Sequence, residues 1–129
     1  MNEPAWINER DVVAIHNRLL ALEGGAAGIH DAGLLKSALA RPRQLLAYGE
    51  TPDIIDMAAA YMAGIVRNHG FLDGNKRTGF VVGVLFLEMN GCRFVASEED
   101  ATQVVLGLAA GKLDERGLTA WLRANVKRR

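Results

Sequence analysis

The 129-residue chain lacks several features that define whole protein classes. Cys92 is its only cysteine, which excludes an internal disulfide and fits a reducing compartment, so we expect a cytoplasmic protein. Its 15 basic and 15 acidic residues cancel, so it lacks the broad positive field that supports non-specific nucleic-acid binding, and we expect no direct nucleic-acid partner. The longest apolar run, residues 80–87, is far below the roughly 20 residues that span a bilayer, and no leader pattern opens the chain. We therefore expect no membrane partner.

What the chain does contain is enough apolar sequence for one hydrophobic core. Half of its residues are apolar (50%), and no repeat or linker divides it. We predict a single domain over residues 1–129. Helix signals occupy most of its length, so the expected fold class is an all-α, compact helical bundle.

Several residues suit helix ends because their side chains can accept backbone N–H bonds or restrict the backbone. The expected N-caps are Asn8, Asp31, Thr51 and Ser97, and a last helix is expected after Asp114. The first helix should place Val12, Ile15, Leu19 and Leu22 on its buried face and end at Gly24. Pro42 should interrupt the second helix, and the third, with Pro52 in its first turn, should run to about Asn68.

Residues 81–87 are β-branched enough to pass for a buried strand. No turn signal lies between Asn75 and Gly91, however, so a helix of about four turns is favoured, with Gly91 ending it as a left-handed residue. This helix is apolar nearly all round and should lie at the centre of the bundle. Its N-terminus would present unpaired N–H groups and partial positive charge, the usual basis of an anion site.

The segment just before this helix, residues 69–78, carries the most chemistry. His69 can remove a proton from a hydroxyl at neutral pH, although a lone histidine is more often a helix cap. Asp73 can hold Mg²⁺ against a polyphosphate or cap the next helix, and Phe71 is expected to anchor the loop as an apolar plug. Gly74 permits close backbone approach, and Asn75 can cap the helix or bond a phosphate oxygen.

Lys76 and Arg77 supply the strongest indication of a ligand. Both lie in the first turn of the expected helix, where their charges oppose the helix dipole. This placement disfavours them structurally, so an anionic ligand is the simplest explanation. Before any resemblance is considered, the segment therefore predicts a phosphate-handling site.

The order and spacing of residues 69–77, His-Gly-Phe-Leu-Asp-Gly-Asn-Lys-Arg, resemble the signature of the Fic/Doc (Fido) family. The Fic branch usually has glycine where this chain has Lys76, whereas the death-on-curing (Doc) branch has Asn-Lys-Arg, so the closer resemblance is to Doc. Gly74 is nevertheless the Fic-like choice at its position. Other stretches that look Doc-like extend the resemblance over nearly the whole chain: Gly25 to Gly28 with Asp31, Leu34 to Pro42, Tyr48 to Glu50, and Phe86 to Gly91.

This resemblance implies a Fido fold, with the motif loop at the N-terminus of the central helix. It also implies the toxin of a toxin-antitoxin module, whose site a small Phd-like antitoxin covers. In Doc-type members the γ-phosphate of ATP is transferred to elongation factor Tu, which stops translation. His69 would then be the general base and Asp73 the Mg²⁺ ligand. The residues implied to bind nucleotide phosphates are Gly74, Asn75, Lys76, Arg77 and the nearby Arg67.

Three other functions stay open at this point. Most Fic members transfer AMP rather than phosphate to a protein hydroxyl, which makes adenylyl transfer the first alternative. A non-catalytic binding module is the second. A metal nuclease is disfavoured, because one histidine and one aspartate within five residues make a poor two-metal site. We find no inhibitory-helix motif of the kind some Fic proteins carry, so inhibition is expected from a separate chain.

Overall fold

The computed structural model describes residues 3–129, which form six helices and two short strands. The helices are packed into one bundle, and the strands pair at its edge. In chain order the elements are α1 (Glu9–Glu23), α2 (Ala32–Tyr48), α3 (Ile54–Asn68), α4 (Asn75–Met89), β1 (Cys92–Phe94), α5 (Glu98–Ala109), α6 (Glu115–Ala124) and β2 (Val126–Arg128). The predicted all-α bundle is confirmed, with a small sheet added.

The core is built around α3 and α4, which pack against each other. Residues 57–63 of α3 are all buried, and the helix contacts α2, α4, α5 and α6. Phe86 of α4 is fully buried, with its ring centroid 5.0 Å from that of Tyr61 and 5.9 Å from that of Trp6. The segment that could have been a strand, residues 81–87, is helical as predicted. Burial on several sides explains why it is apolar nearly all round.

Small residues let α2, α3 and α4 approach one another closely. A Cβ atom on Gly79 would lie 2.7 Å from a methyl carbon of Val66, and one on Gly64 would lie 3.1 Å from Cβ of Ala38. Side chains at these two positions would force the helices apart. Because α4 is packed so closely against α3, the loop that joins them is held at a fixed place on the bundle.

Most predicted helix ends are confirmed by their caps. The side chains of Asn8, Asp31, Ser97 and Asp114 each accept a backbone N–H from the first turn that follows. The predictions of Thr51 as the cap and of Pro52 in the first turn were both wrong, because α3 begins at Ile54. Asp53 caps α3 instead and exchanges reciprocal bonds with Asp56, and two reciprocal bonds satisfy more backbone groups than one hydroxyl could.

Two further expectations are corrected. Pro42 does not interrupt α2, which continues to Tyr48 with Pro42 buried inside it. The apolar residues on either side of it, Leu39 and Leu46, pack on the core, and their burial offsets the cost of a proline in a helix. Leu22 is exposed, because only the earlier part of α1 faces the core.

The two strands were not predicted. Arg93 of β1 lies opposite Lys127 of β2 in an antiparallel pair, so residues more than thirty positions apart form one ladder. Gly91 ends α4 with a φ of 85°, as expected, and turns the chain into β1. Among residues 3–129, no helix combines the length and apolar character needed to cross a lipid bilayer.

Candidate active site

The motif loop, residues 69–74, joins α3 to α4 and is held by a second segment that we call the connector, residues 24–31. The backbone N–H groups of His30 and Asp31 donate to the carbonyl oxygen of Gly70 at 2.8 and 3.0 Å. In return, the N–H of Leu72 donates to the carbonyl of Gly28 at 3.1 Å. These bonds form a short antiparallel bridge, so the connector between α1 and α2 supports the motif loop.

His69 lies at the C-terminal end of α3, and its imidazole is exposed. Its φ and ψ angles are 53° and 48°, which is a left-handed conformation. Among residues 3–129, no other non-glycine residue has a positive φ. Non-glycine residues in this region carry local strain, which is maintained where the surrounding structure enforces it, often at functional sites. The next residue, Gly70, lies close to α2, because a Cβ atom there would be 2.8 Å from Cβ of Leu35.

Phe71 is the apolar anchor that the sequence predicted. Its side chain is buried, and its backbone is held by Asn75. The side-chain oxygen of Asn75 accepts the N–H of Phe71 at 3.0 Å, and its amide nitrogen donates to the Phe71 carbonyl at 2.9 Å. Asn75 is itself buried. Both polar atoms of its side chain are thus engaged in fixing the loop.

Asp73 presents an exposed carboxylate beside the connector. One oxygen accepts the N–H of Gly74 at 2.7 Å, and the other accepts the N–H of Ala26 at 3.3 Å. These two backbone donors lower the pKa of the Asp73 carboxyl, and the nearby positive charge of Arg77 adds to the effect. Asp73 is therefore an anion at neutral pH.

The N-terminus of α4 lacks a side-chain cap. Gly74 is the N-cap, with a φ of 79°, and neither Asp73 nor Asn75 caps the helix, contrary to one expectation from the sequence. No acidic residue lies in the first turn, where Lys76 and Arg77 lie instead. The backbone N–H groups of this turn therefore have no carboxylate to neutralise them, and the turn attracts anions.

The two cations of this turn differ in their contacts. One nitrogen of the Arg77 guanidinium pairs with the Glu23 carboxylate at 2.9 Å, and the other donates to the Gly24 carbonyl at 2.9 Å. Lys76 is exposed, and within residues 3–129 its ammonium group makes no hydrogen bond or ion pair. Arg67 is exposed in the last turn of α3, where its charge complements the helix dipole.

His16, which lies under the motif loop, was not predicted from the sequence. His16 is buried in α1, and its Nε2 atom lies 2.7 Å from the carbonyl oxygen of Asp73. Its ring stacks on Phe71 with a centroid separation of 3.7 Å and an interplanar angle of 7°. The sequence did carry a signal, because His16 follows Val12 by four residues and so shares its buried helical face.

Possible metal ligands near the loop are few. Over residues 3–129, no group of three or more histidine, cysteine, aspartate or glutamate side chains is placed to hold a metal ion. A lone carboxylate such as Asp73 suits Mg²⁺ bound together with nucleotide phosphates, since magnesium commonly takes one or two carboxylates and completes its shell with phosphate oxygens and water.

The fold and site define a class: a mostly helical domain whose His-Gly-Phe-Leu-Asp-Gly-Asn-Lys-Arg loop lies at the N-terminus of a central helix. The chain belongs to the Fic/DOC family, whose model matches residues 6–87. It is 31% identical over 117 residues to a protein of Escherichia phage P1 named Protein kinase doc, covering 91% of this chain and 92% of that protein. It is also 43% identical over 75 residues to Toxin Doc of Mycolicibacterium smegmatis, covering 57% of each.

Proposed function

We propose that the chain is a toxin of the Doc type, a protein kinase that transfers the γ-phosphate of ATP to a serine or threonine hydroxyl of elongation factor Tu and thereby inhibits translation. Family membership supports this proposal, as does likeness over nearly the whole chain to a relative named as a protein kinase. The observation that carries it is structural. An exposed histidine in a strained conformation lies on the short loop that leads into a helix N-terminus with two cations and no side-chain cap.

His69 is proposed as the general base. Its imidazole would take the proton of the acceptor hydroxyl while the hydroxyl oxygen attacks the γ-phosphorus. The bond from the γ-phosphorus to the bridging oxygen breaks, and ADP leaves with the electron pair. Phosphoryl transfer depends mainly on positioning and charge neutralisation, so the left-handed backbone that fixes His69 is as important as its basicity.

The phosphate groups are proposed to bind at the first turn of α4. Lys76 is free to reach them, and Asn75 would contribute its backbone N–H group. Gly74, whose own N–H is bonded to Asp73, would let a phosphate approach the backbone closely. Arg77 would exchange Glu23 for a phosphate oxygen, since its guanidinium is occupied by that carboxylate before ligand binds. Arg67 stays a candidate for an outer phosphate, because it precedes His69 by two residues and is exposed.

Mg²⁺ is the proposed metal, and Asp73 the residue that would hold it. The carboxylate fits this role because it is exposed and ionised, and because its backbone donors leave other lone pairs available. When bound, Mg²⁺ would neutralise part of the charge on the phosphate oxygens.

Adenylyl transfer is the second candidate function. Gly74 favours it, because glycine is the Fic-like residue at this position. In that case the nucleotide would bind in the opposite direction, with its α-phosphate beside His69.

The proposed partners follow from the same comparison. A small Phd-like antitoxin would cover the loop, and a neighbouring gene for a small protein would support this. The protein would act in the cytoplasm, where elongation factor Tu is found.

The assignment can be tested by label transfer. The purified chain, Mg²⁺ and elongation factor Tu are incubated with ATP labelled at the α- or the γ-phosphate. We expect label on elongation factor Tu from the γ position alone. Label from the α position alone would establish adenylyl transfer instead, and label from neither would contradict both proposals for this target.

Three variants and one control sharpen this assay. His69→Ala and His69→Asn should both abolish transfer, the second while tolerating the left-handed backbone, because asparagine adopts it readily. His30→Ala removes another exposed histidine, and its backbone bond to the motif loop is retained, so it should transfer normally. Asp73→Ala should also abolish transfer. Full activity in a His69 or Asp73 variant would remove the role assigned to that residue.

A further inference from the structure

We propose that His16 is a positioning residue of this site, which fixes the backbone of Asp73 and thereby the carboxylate that would hold Mg²⁺. This inference rests on the proposed function for its chemical meaning. The arrangement on which it is based is nevertheless a feature of the folded chain, present without any ligand.

The hydrogen bond defines the state of the ring. The carbonyl oxygen of Asp73 can only accept, so the Nε2 atom of His16, 2.7 Å away, must carry a hydrogen and donate it. The bond reaches from α1 to a loop 57 positions further along the chain. It therefore ties the metal-binding end of the motif loop to a helix that supplies none of the motif residues.

Packing fixes the ring in the plane that this bond requires. The imidazole is stacked almost parallel on Phe71, the buried anchor of the loop. A Cβ atom on Gly74 would lie 3.5 Å from Nε2 of His16, so the ring also fills the space beneath the N-cap of α4. His16 thus lies against Phe71 on one side of Asp73 and near Gly74 on the other, while its N–H holds the Asp73 carbonyl between them.

A histidine that only filled space in the core would behave differently from one that positions Asp73. Loss of a space-filling ring would lower stability and leave ligand affinity unchanged in the folded protein. Loss of the donor would let the Asp73 carbonyl move and would weaken Mg²⁺ binding, since residues that orient metal ligands commonly change metal affinity by about 10- to 100-fold.

The test compares two side chains of similar length that differ in the N–H donor. His16→Gln keeps an amide donor near the position of Nε2, whereas His16→Met has none. For each variant the affinity for ATP is measured by calorimetry with and without Mg²⁺. We expect the gain in ATP affinity that Mg²⁺ provides to be about tenfold smaller in His16→Met than in the parent. We expect His16→Gln to keep most of that gain, and both variants to match the parent without Mg²⁺.

Asp73→Ala sets the baseline of this comparison, since it should remove the gain entirely. Equal gains in the Met variant and the parent would overturn the proposal. So would equal losses in the Met and Gln variants, because they would show that the ring alone is important. Should either variant fail to fold, His16→Phe provides another comparison, since it keeps a flat ring for stacking on Phe71 and removes the donor.

Hydrogen exchange separates this inference from the proposed function. The N–H of Thr78 donates to the carbonyl of Gly74 at 2.9 Å, so its exchange rate reports how firmly that end of the loop is held without ligand. We expect faster exchange at Thr78 in His16→Met than in His16→Gln. If the parent protein bound no ATP, the proposed function would fail while this measurement still tested His16. Equal exchange rates in the two variants would overturn the positioning role.

Discussion

Replacement of Asn75 by alanine tests whether its side chain holds the loop or is free for a ligand. The variant removes the partner of two buried backbone groups, the N–H and the carbonyl of Phe71. Leaving a buried polar group without a partner costs about 1–3 kcal/mol, so the free energy of unfolding should fall by about 2–4 kcal/mol, allowing for partial relaxation. For a domain of this size, that corresponds to a fall in Tm of about 6–15 °C.

Thermal and urea unfolding of the ligand-free protein would measure this change. Asn17→Ala is the matched control, because Asn17 is an exposed asparagine within α1 and its loss should change stability by less than about 0.5 kcal/mol. Asn75→Asp should also destabilise the protein, since it would place a carboxylate oxygen against the Phe71 carbonyl. Unfolding of Asn75→Ala at the same temperature as the control would refute the argument and leave the side chain available for phosphate.

Three further predictions concern the surroundings of Asp73 and Arg77. Glu23→Gln should tighten ATP binding in calorimetry by about two- to fivefold, because it weakens the ion pair that competes for Arg77; unchanged affinity would contradict this. Gly25→Ala should weaken Mg²⁺-dependent ATP binding far more than Gly24→Ala. Both positions have positive φ, but a Cβ on Gly25 would lie 2.7 Å from the Asp73 carboxylate, whereas one on Gly24 would meet nothing within 4 Å. The lowered pKa of Asp73 stabilises the fold above the ordinary carboxyl pKa and ceases to do so as pH falls through the lowered value, so an NMR titration of its carboxyl should show a midpoint below that of an ordinary aspartate. A midpoint at or above that of an ordinary aspartate would contradict the assigned hydrogen bonds.

Helix boundaries were predictable where local chemistry decides them. Asp114 caps α6 and Gly91 ends α4 because a short polar side chain and a left-handed glycine suit those positions in any fold. Where two local solutions compete, the sequence alone does not decide between them. Thr51 and Asp53 both suit a cap, and Asp53 prevails through its reciprocal bonds with Asp56.

Features that depend on distant partners could not be predicted in this way. The strands β1 and β2 are three residues each, and each is too short to be distinguished without the other. Pro42 remains helical because tertiary burial on both sides of it outweighs the local cost.

The motif loop shows the same division between local and distant contributions. His69, Phe71, Asp73 and Lys76 could be found from the sequence because they are neighbours along the chain. The groups that bond to the motif loop or to Arg77 come from elsewhere in the chain. They are His16 and Glu23 on α1, and the backbone of the connector. Glycines and a glutamate near a helix end have many ordinary explanations, so only the folded structure relates them to the loop.

The central claim is that nucleotide phosphates bind at the first turn of α4, with the γ-phosphate beside His69. A crystal structure of the protein with Mg²⁺ and a non-hydrolysable ATP analogue would test it most directly. We predict the terminal phosphate between His69 and Lys76, Mg²⁺ on Asp73, and Arg77 released from Glu23. A nucleotide bound away from the motif loop, or one with its α-phosphate beside His69, would contradict the kinase account.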